Sequence, residues 1–157
     1  LTNPAGTKNQ VMGVFHRDLT GKLAQVLQKL GSRHVMVVHG ADGMDEISIS
    51  GATHIAELKA GSVSEYTVHP QDFGLKPASL ETIRVSNADQ AKDMLKAVLD
   101  NQPGPARDIV QLNAGAAIYV AGLTATFQDG VKKAAEVIAS GAAANKLMQL
   151  IQIGNAG

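Results

Sequence analysis

The segment His39-Gly40-Ala41-Asp42-Gly43-Met44-Asp45-Glu46 is the densest group of chemically capable side chains in the chain. Asp45 and Glu46 are adjacent carboxylates, hard oxygen donors suited to Mg²⁺. That ion takes one or two protein carboxylates and completes its shell with water and phosphate. Gly40 and Gly43 let the backbone turn tightly and approach a ligand. The plain reading of the same residues is an Asp-Gly turn followed by solvated acids. The spacing is not that of an EF-hand, because the later acidic ligands are absent. His39-Gly40 after a strand also fits an oxyanion loop, but the G-x-S-x-G turn of such a hydrolase does not occur. Neither G-x-x-x-x-G-K-S/T nor G-x-G-x-x-G is present, so no standard nucleotide loop is expected. His16, His34, His54 and His69 show neither i, i+4 pairing nor an H-E-x-x-H motif, and each reads as structural or exposed.

An acidic turn of this kind is useful only at the end of a firm element. His34–Val38, HVMVV, is an unbroken apolar run and reads as a strand buried on both faces, leading straight into the turn. In open α/β sheets, sites form where strands end and loops begin. Before this strand, residues 8–16 fit a short helix, with Val11, Val14 and Phe15 at helical spacing. Asp18 then caps a helix to about Leu30, with Leu19, Leu23, Val26, Leu27 and Leu30 on one stripe and Gly31 just past its end. After the turn, Glu46–Ser50 alternates as a second strand, Thr53–Lys59 fits a helical turn, and Glu65–His69 reads as a third strand ended by Pro70. Asn87 caps a helix to about Asn101, and Pro103-Gly104-Pro105 breaks the chain. Asp108–Leu123 reads as a deeply buried helix whose glycines cost helix propensity and are offset by close packing. Asp129–Ala139 and Ala142–Ile153 are further helices, split near Gly141.

The totals bound what such a chain can be. At 157 residues with 45% apolar content, it is long enough for one domain with a real core. Aromatic residues are only 3% and tryptophan is absent, so Ala, Val, Leu, Ile and Met must fill that core. Small side chains let helices sit close to a sheet, and that favours an α/β or helical design. Basic and acidic residues balance at 14 each, without the basic surplus of a nucleic-acid binder. No cysteine is present, which excludes disulfides and thiolate metal sites and fits a cytoplasmic protein. No apolar run reaches the length of a membrane span, and LTNPAGTKNQ lacks the order of a signal peptide. The chain opens inside a turn, Thr2-Asn3-Pro4, without an initiator Met. Three short strands also make a thin sheet. Both features lead us to expect a piece of a longer protein.

Several segments, in order and at matching spacing, resemble the anthranilate phosphoribosyltransferase family. They are Leu1-Thr2-Asn3-Pro4-Ala5 with Gln10-Val11-Met12-Gly13-Val14; Val38 to Glu46; Asp72-Phe73-Gly74; and Arg107-Asp108 followed by Leu112 to Gly122. The resemblance implies transfer of a phosphoribosyl group from phosphoribosyl pyrophosphate to the amine of anthranilate, with release of pyrophosphate. It implies an α/β fold, a mostly parallel sheet flanked by helices, joined to a small helical domain through which the enzyme forms a homodimer. Residues 1–31 would then be two leading helices of the helical domain, and residues 32–157 the C-terminal part of the α/β domain. By the same resemblance Asp45 and Glu46 hold Mg²⁺, and Pro4 and, more weakly, Asn3 lie by the anthranilate site. No residue is assigned as a general base. The family's G-T-G-G-D phosphate loop, its K-H-G-N-type loop and its anthranilate-binding arginine are missing here. The chain on its own is therefore expected to be inactive. Two other readings share the architecture: a non-catalytic relative that binds nucleic acid or a nucleotide, and a pyrimidine nucleoside phosphorylase, which the first and last segments match less well.

Overall fold

The computed structural model describes residues 5–155. Four strands form one sheet in the order β1-β2-β3-β4: β1 is Asn9–Gly13, β2 His34–Gly40, β3 Thr53–Lys59 and β4 Ser62–Val68. Helix α1, Leu19–Lys29, connects β1 to β2, and such a helical crossover is what lets two consecutive strands run parallel. Their register sets Val11 opposite Met36. The other two pairs are antiparallel, with Val38 opposite Ile55 and Ile55 opposite Tyr66. The β3–β4 hairpin turns on Ala60 and Gly61, both at positive φ (50° and 78°), the geometry that matches the natural strand twist. After two short 3₁₀ turns come α2 (Ala88–Leu99), α3 (Pro105–Val120), α4 (Phe127–Ala139) and α5 (Ala142–Gly154). Asn87 caps α2 as expected, its side chain accepting from Gln90 N–H at 2.9 Å.

Successive residues of β2 serve two cores. Val35 and Val37 face α1, where Ala24, Leu27, Ala56 and Leu58 complete one cluster. Met36 and Val38 face α3 and α4, packing with Ile55, Leu112, Ala116 and Val131. The HVMVV run is therefore buried on both faces, as its composition demands.

The α/β class holds, but four local expectations do not. Residues 8–16 do not form a helix: Asn9–Gly13 is strand β1. Val11 joins the core on the α3 side and Val14 that on the α1 side, while Phe15 is left exposed. Thr53–Lys59 is strand β3 rather than a helical turn. Its Ala, Glu, Leu and Lys favour helix locally, but the edge of β2 requires a partner, and tertiary pairing overrides that preference. Glu46–Ser50 is not a strand. Its hydropathy alternates but its burial does not: Ile47, Ser48 and Ile49 are all buried, and the two isoleucines plug the core from a loop. Finally, the sheet is mixed, with one parallel and two antiparallel pairs, rather than mostly parallel. In this structure β1 belongs to the sheet, and α1 shares a core cluster with β2 and β3. No helix among the described residues is long and apolar enough to cross a membrane.

Candidate functional site

The acidic turn is the connection between β2 and β3, and its shape follows from where its backbone groups find partners. Gly40 N–H donates to Met44 O at 2.8 Å, and Ala41 N–H to Ala52 O at 2.9 Å, closing the neck of the loop. Asp42 organises the interior. Its Oδ1 accepts from Met44 N–H at 3.0 Å, and its Oδ2 accepts from the hydroxyls of Ser48 and Ser50. Burial works to raise the Asp42 pKa, but these donors outweigh it and hold the carboxyl below its ordinary value. Gly43 sits at φ 96°, a conformation that favours glycine at this corner.

The far side of the loop is tied to α3. Ile47 N–H donates to Asn113 Oδ1 at 2.9 Å, and Asn113 Nδ2 donates back to Ile47 O at 2.9 Å. Ser48 N–H donates to Thr53 Oγ1 at 2.9 Å. Side chains thus take the place of a neighbouring strand, so Ile47 and Ser48 are buried with their backbone groups bonded but without strand pairing. The loop also lies directly on β1. A Cβ built on Gly13 would come within 1.5 Å of Asp45 O, so only glycine fits there.

Asp45 and Glu46 lie between these anchors, side by side and exposed, and neither carboxylate forms a hydrogen bond or ion pair among the described residues. Beside Glu46 runs an apolar groove of about 270 Å³, lined in part by Met44, Ile83, Met94 and Ile109. Two adjacent, unengaged carboxylates suit Mg²⁺ held jointly with water and phosphate oxygens. They do not amount to an all-protein cage, and among the described residues no three His, Asp or Glu side chains converge on one point. Asn3 and Pro4 lie outside the described residues.

The histidines have structural partners. His39 Nδ1–H donates to Val14 O at 2.8 Å, tying the end of β2 to the segment after β1. His34 Nε2 meets Glu57 Oε1 at 2.8 Å. Glu57, buried on β3, also accepts from the phenols of Tyr119 (2.8 Å) and Tyr66 (2.9 Å), while Lys59 Nζ donates to Tyr119 at 2.8 Å. Burial acts to raise the Glu57 pKa, and the Tyr119, His34 and Tyr66 contacts overcome it and keep the carboxyl below its usual range. Sequence reasoning missed this cluster, and it missed Asn113 and the interior role of Asp42. The partners are far apart in the chain, and no spacing pattern announces them.

Residues 1–144 match the family model described as "Glycosyl transferase family, a/b domain". The chain belongs to this family. Among its similar relatives, the anthranilate phosphoribosyltransferase of Nitrosomonas eutropha is 60% identical over 155 residues, covering 99% of this chain and 46% of that protein. The enzyme of the same name from Thiobacillus denitrificans is 61% identical over 151 residues, covering 96% and 44%. The chain thus spans about half the length of these glycosyl transferase family relatives. Among solved structures, anthranilate phosphoribosyltransferase from Thermus thermophilus superposes with a TM-score of 0.80 at 34% identity, covering 87% of this chain and 40% of that one. The Saccharomyces cerevisiae enzyme, solved in complex with PRPP and Mg, shares the fold with a TM-score of 0.80 at 24% identity, covering 92% and 42%.

Proposed function

We propose that this chain is the C-terminal portion of an anthranilate phosphoribosyltransferase, acting in tryptophan biosynthesis as a Mg²⁺-dependent glycosyltransferase. The complete enzyme would move the phosphoribosyl group of phosphoribosyl pyrophosphate to the amine of anthranilate and release pyrophosphate. The observation that carries this reading is the exposed Asp45-Glu46 pair on an anchored loop at the end of β2, in a chain 60% identical to an enzyme of that name. When bound, Mg²⁺ would neutralise charge on the departing pyrophosphate and orient it. Asp45 and Glu46 would hold the ion rather than touch the ribose. The acceptor amine requires positioning beside the ribose carbon more than activation, and no residue is assigned as a general base. By the family pattern Pro4, and more weakly Asn3, would lie by the anthranilate site. The phosphate-cradling groups belong to the remainder of the protein, so the 157-residue chain alone is inactive. The complete enzyme is a cytoplasmic homodimer in this reading.

The test is Asp45→Asn with Glu46→Gln in the full-length enzyme that carries this segment. Turnover, followed by loss of anthranilate fluorescence, falls by roughly 100-fold or more, as expected when a metal's carboxylate ligands are lost. Its residual activity no longer responds to Mg²⁺. Unchanged turnover with unchanged Mg²⁺ dependence would remove the metal assignment.

A further inference from the structure

We infer that Asn113 and Asp42 are positioning residues that hold the Asp45-Glu46 backbone ready for its metal; the inference rests on the metal reading above. Four consecutive residues, Met44 to Ile47, are held at both ends. At Met44, the N–H donates to Asp42 Oδ1 (3.0 Å) and the carbonyl accepts from Gly40 N–H (2.8 Å). At Ile47, the N–H and the carbonyl are both taken by the Asn113 amide, at 2.9 Å each. Asn113 is itself fixed, because Nδ2 also donates to Ile109 O at 3.0 Å within its own helix. Ile47 is buried and anchors that end further. Between the two clamps, Asp45 O abuts β1 at Gly13.

This leaves the two exposed carboxylate side chains as the parts of this strap without a hydrogen bond or ion pair among the described residues. A site with only two protein ligands gains little from each, so the cost of ordering a free loop would weigh heavily against binding. Prior ordering by neighbouring hydrogen bonds removes that cost, and outer-shell partners of metal ligands act in this way. Asn113 reaches the strap from a helix distant in sequence, so α3 controls the strap without contacting the ion. The Asp42 carboxylate is occupied by Ser48, Ser50 and Met44, and therefore serves geometry rather than ligation.

The experiment uses the full-length enzyme that carries this segment, with inorganic pyrophosphate present and Mn²⁺ as a paramagnetic probe, read by broadening of the backbone amide signals of residues 45 and 46 and reversed by excess Mg²⁺. Measurements are made at high ionic strength, so that the charge lost in Asp42→Asn is screened. Asn113→Ala and Asp42→Asn each weaken Mn²⁺ binding by roughly tenfold or more. Asn113→Ala also speeds hydrogen exchange of the Ile47 amide. Val120→Ala, a core change in the same helix that touches neither clamp, lowers thermal stability and leaves Mn²⁺ affinity unchanged. If Asn113→Ala does not fold, Asp42→Asn decides alone. Parent-like Mn²⁺ affinity in the clamp variants overturns the inference, as does an equal loss in Val120→Ala. Asp45→Asn with Glu46→Gln must abolish the broadening. If it does not, the metal reading itself has failed, and that outcome is distinct from a failure of the clamps.

Discussion

Glu57 shows how a single residue can be costly and yet well placed. A buried carboxylate is unfavourable unless donors surround it, and here Tyr66, Tyr119 and His34 do so. Because its pKa is lowered in the folded state, Glu57 favours folding above the pKa of the unfolded chain. That contribution disappears as pH falls through the folded-state value. Glu57→Gln therefore lowers stability by about 2 kcal/mol at neutral pH, since it weakens charge-assisted hydrogen bonds and leaves one phenol facing an amide. It also flattens the acid side of the stability profile. Urea denaturation between pH 3 and pH 8 checks both effects; parallel profiles for parent and variant would contradict them. At this scale the sequence was informative about Asp45 and Glu46, whose types and adjacency name their chemistry. It was silent about Glu57, whose donors come from β2, β4 and α3.

Among the elements, the α3–α4 pair depends on two glycines. A Cβ on Gly115 would lie 2.6 Å from the backbone of Val131, and one on Gly130 would lie 2.3 Å from Gly115 O. The low helix propensity of glycine is thus offset by a close approach of the two helices, as the Ala- and Gly-rich run of α3 leads one to expect. Gly115→Ala gains about 1 kcal/mol of helix propensity but forces the helices apart. Such overpacking costs roughly 1–3 kcal/mol, and the clash is with main chain that cannot swing away. We expect a net loss of stability in thermal melts, and a variant that melts higher than the parent would refute the packing argument. The helices were the most legible elements, because their apolar stripes and caps are local. The strands β1 and β3 were not, because short apolar or mixed runs take their form from the neighbour they pair with.

Across the whole molecule, one sheet separates two cores. Leu27 lies in the cluster under α1, whereas Tyr66 and Tyr119 both belong to the opposite side. Leu27→Ala should cost about 2–5 kcal/mol, as for other buried leucines. If the sheet couples the two sides into one cooperative unit, tyrosine fluorescence and far-UV circular dichroism will shift together. Coincident midpoints in denaturant are the expected result; a tyrosine transition that stays at the parent midpoint would mean that the cores unfold separately.

The residue order alone determined the α/β class, the placement of α1 and α2–α5, the doubly buried β2 and the acidic segment that follows it. These features rest on local periodicity, caps and side-chain type, which need no distant partner. Tertiary structure decided that Asn9–Gly13 and Thr53–Lys59 are strands, that the sheet is mixed, and that Glu46–Ser50 is a loop. It also decided how Asp45 and Glu46 are held. Their loop gains its form from Asn113 on α3 and Gly13 on β1, and contacts between such distant positions exist only once the chain has closed on itself.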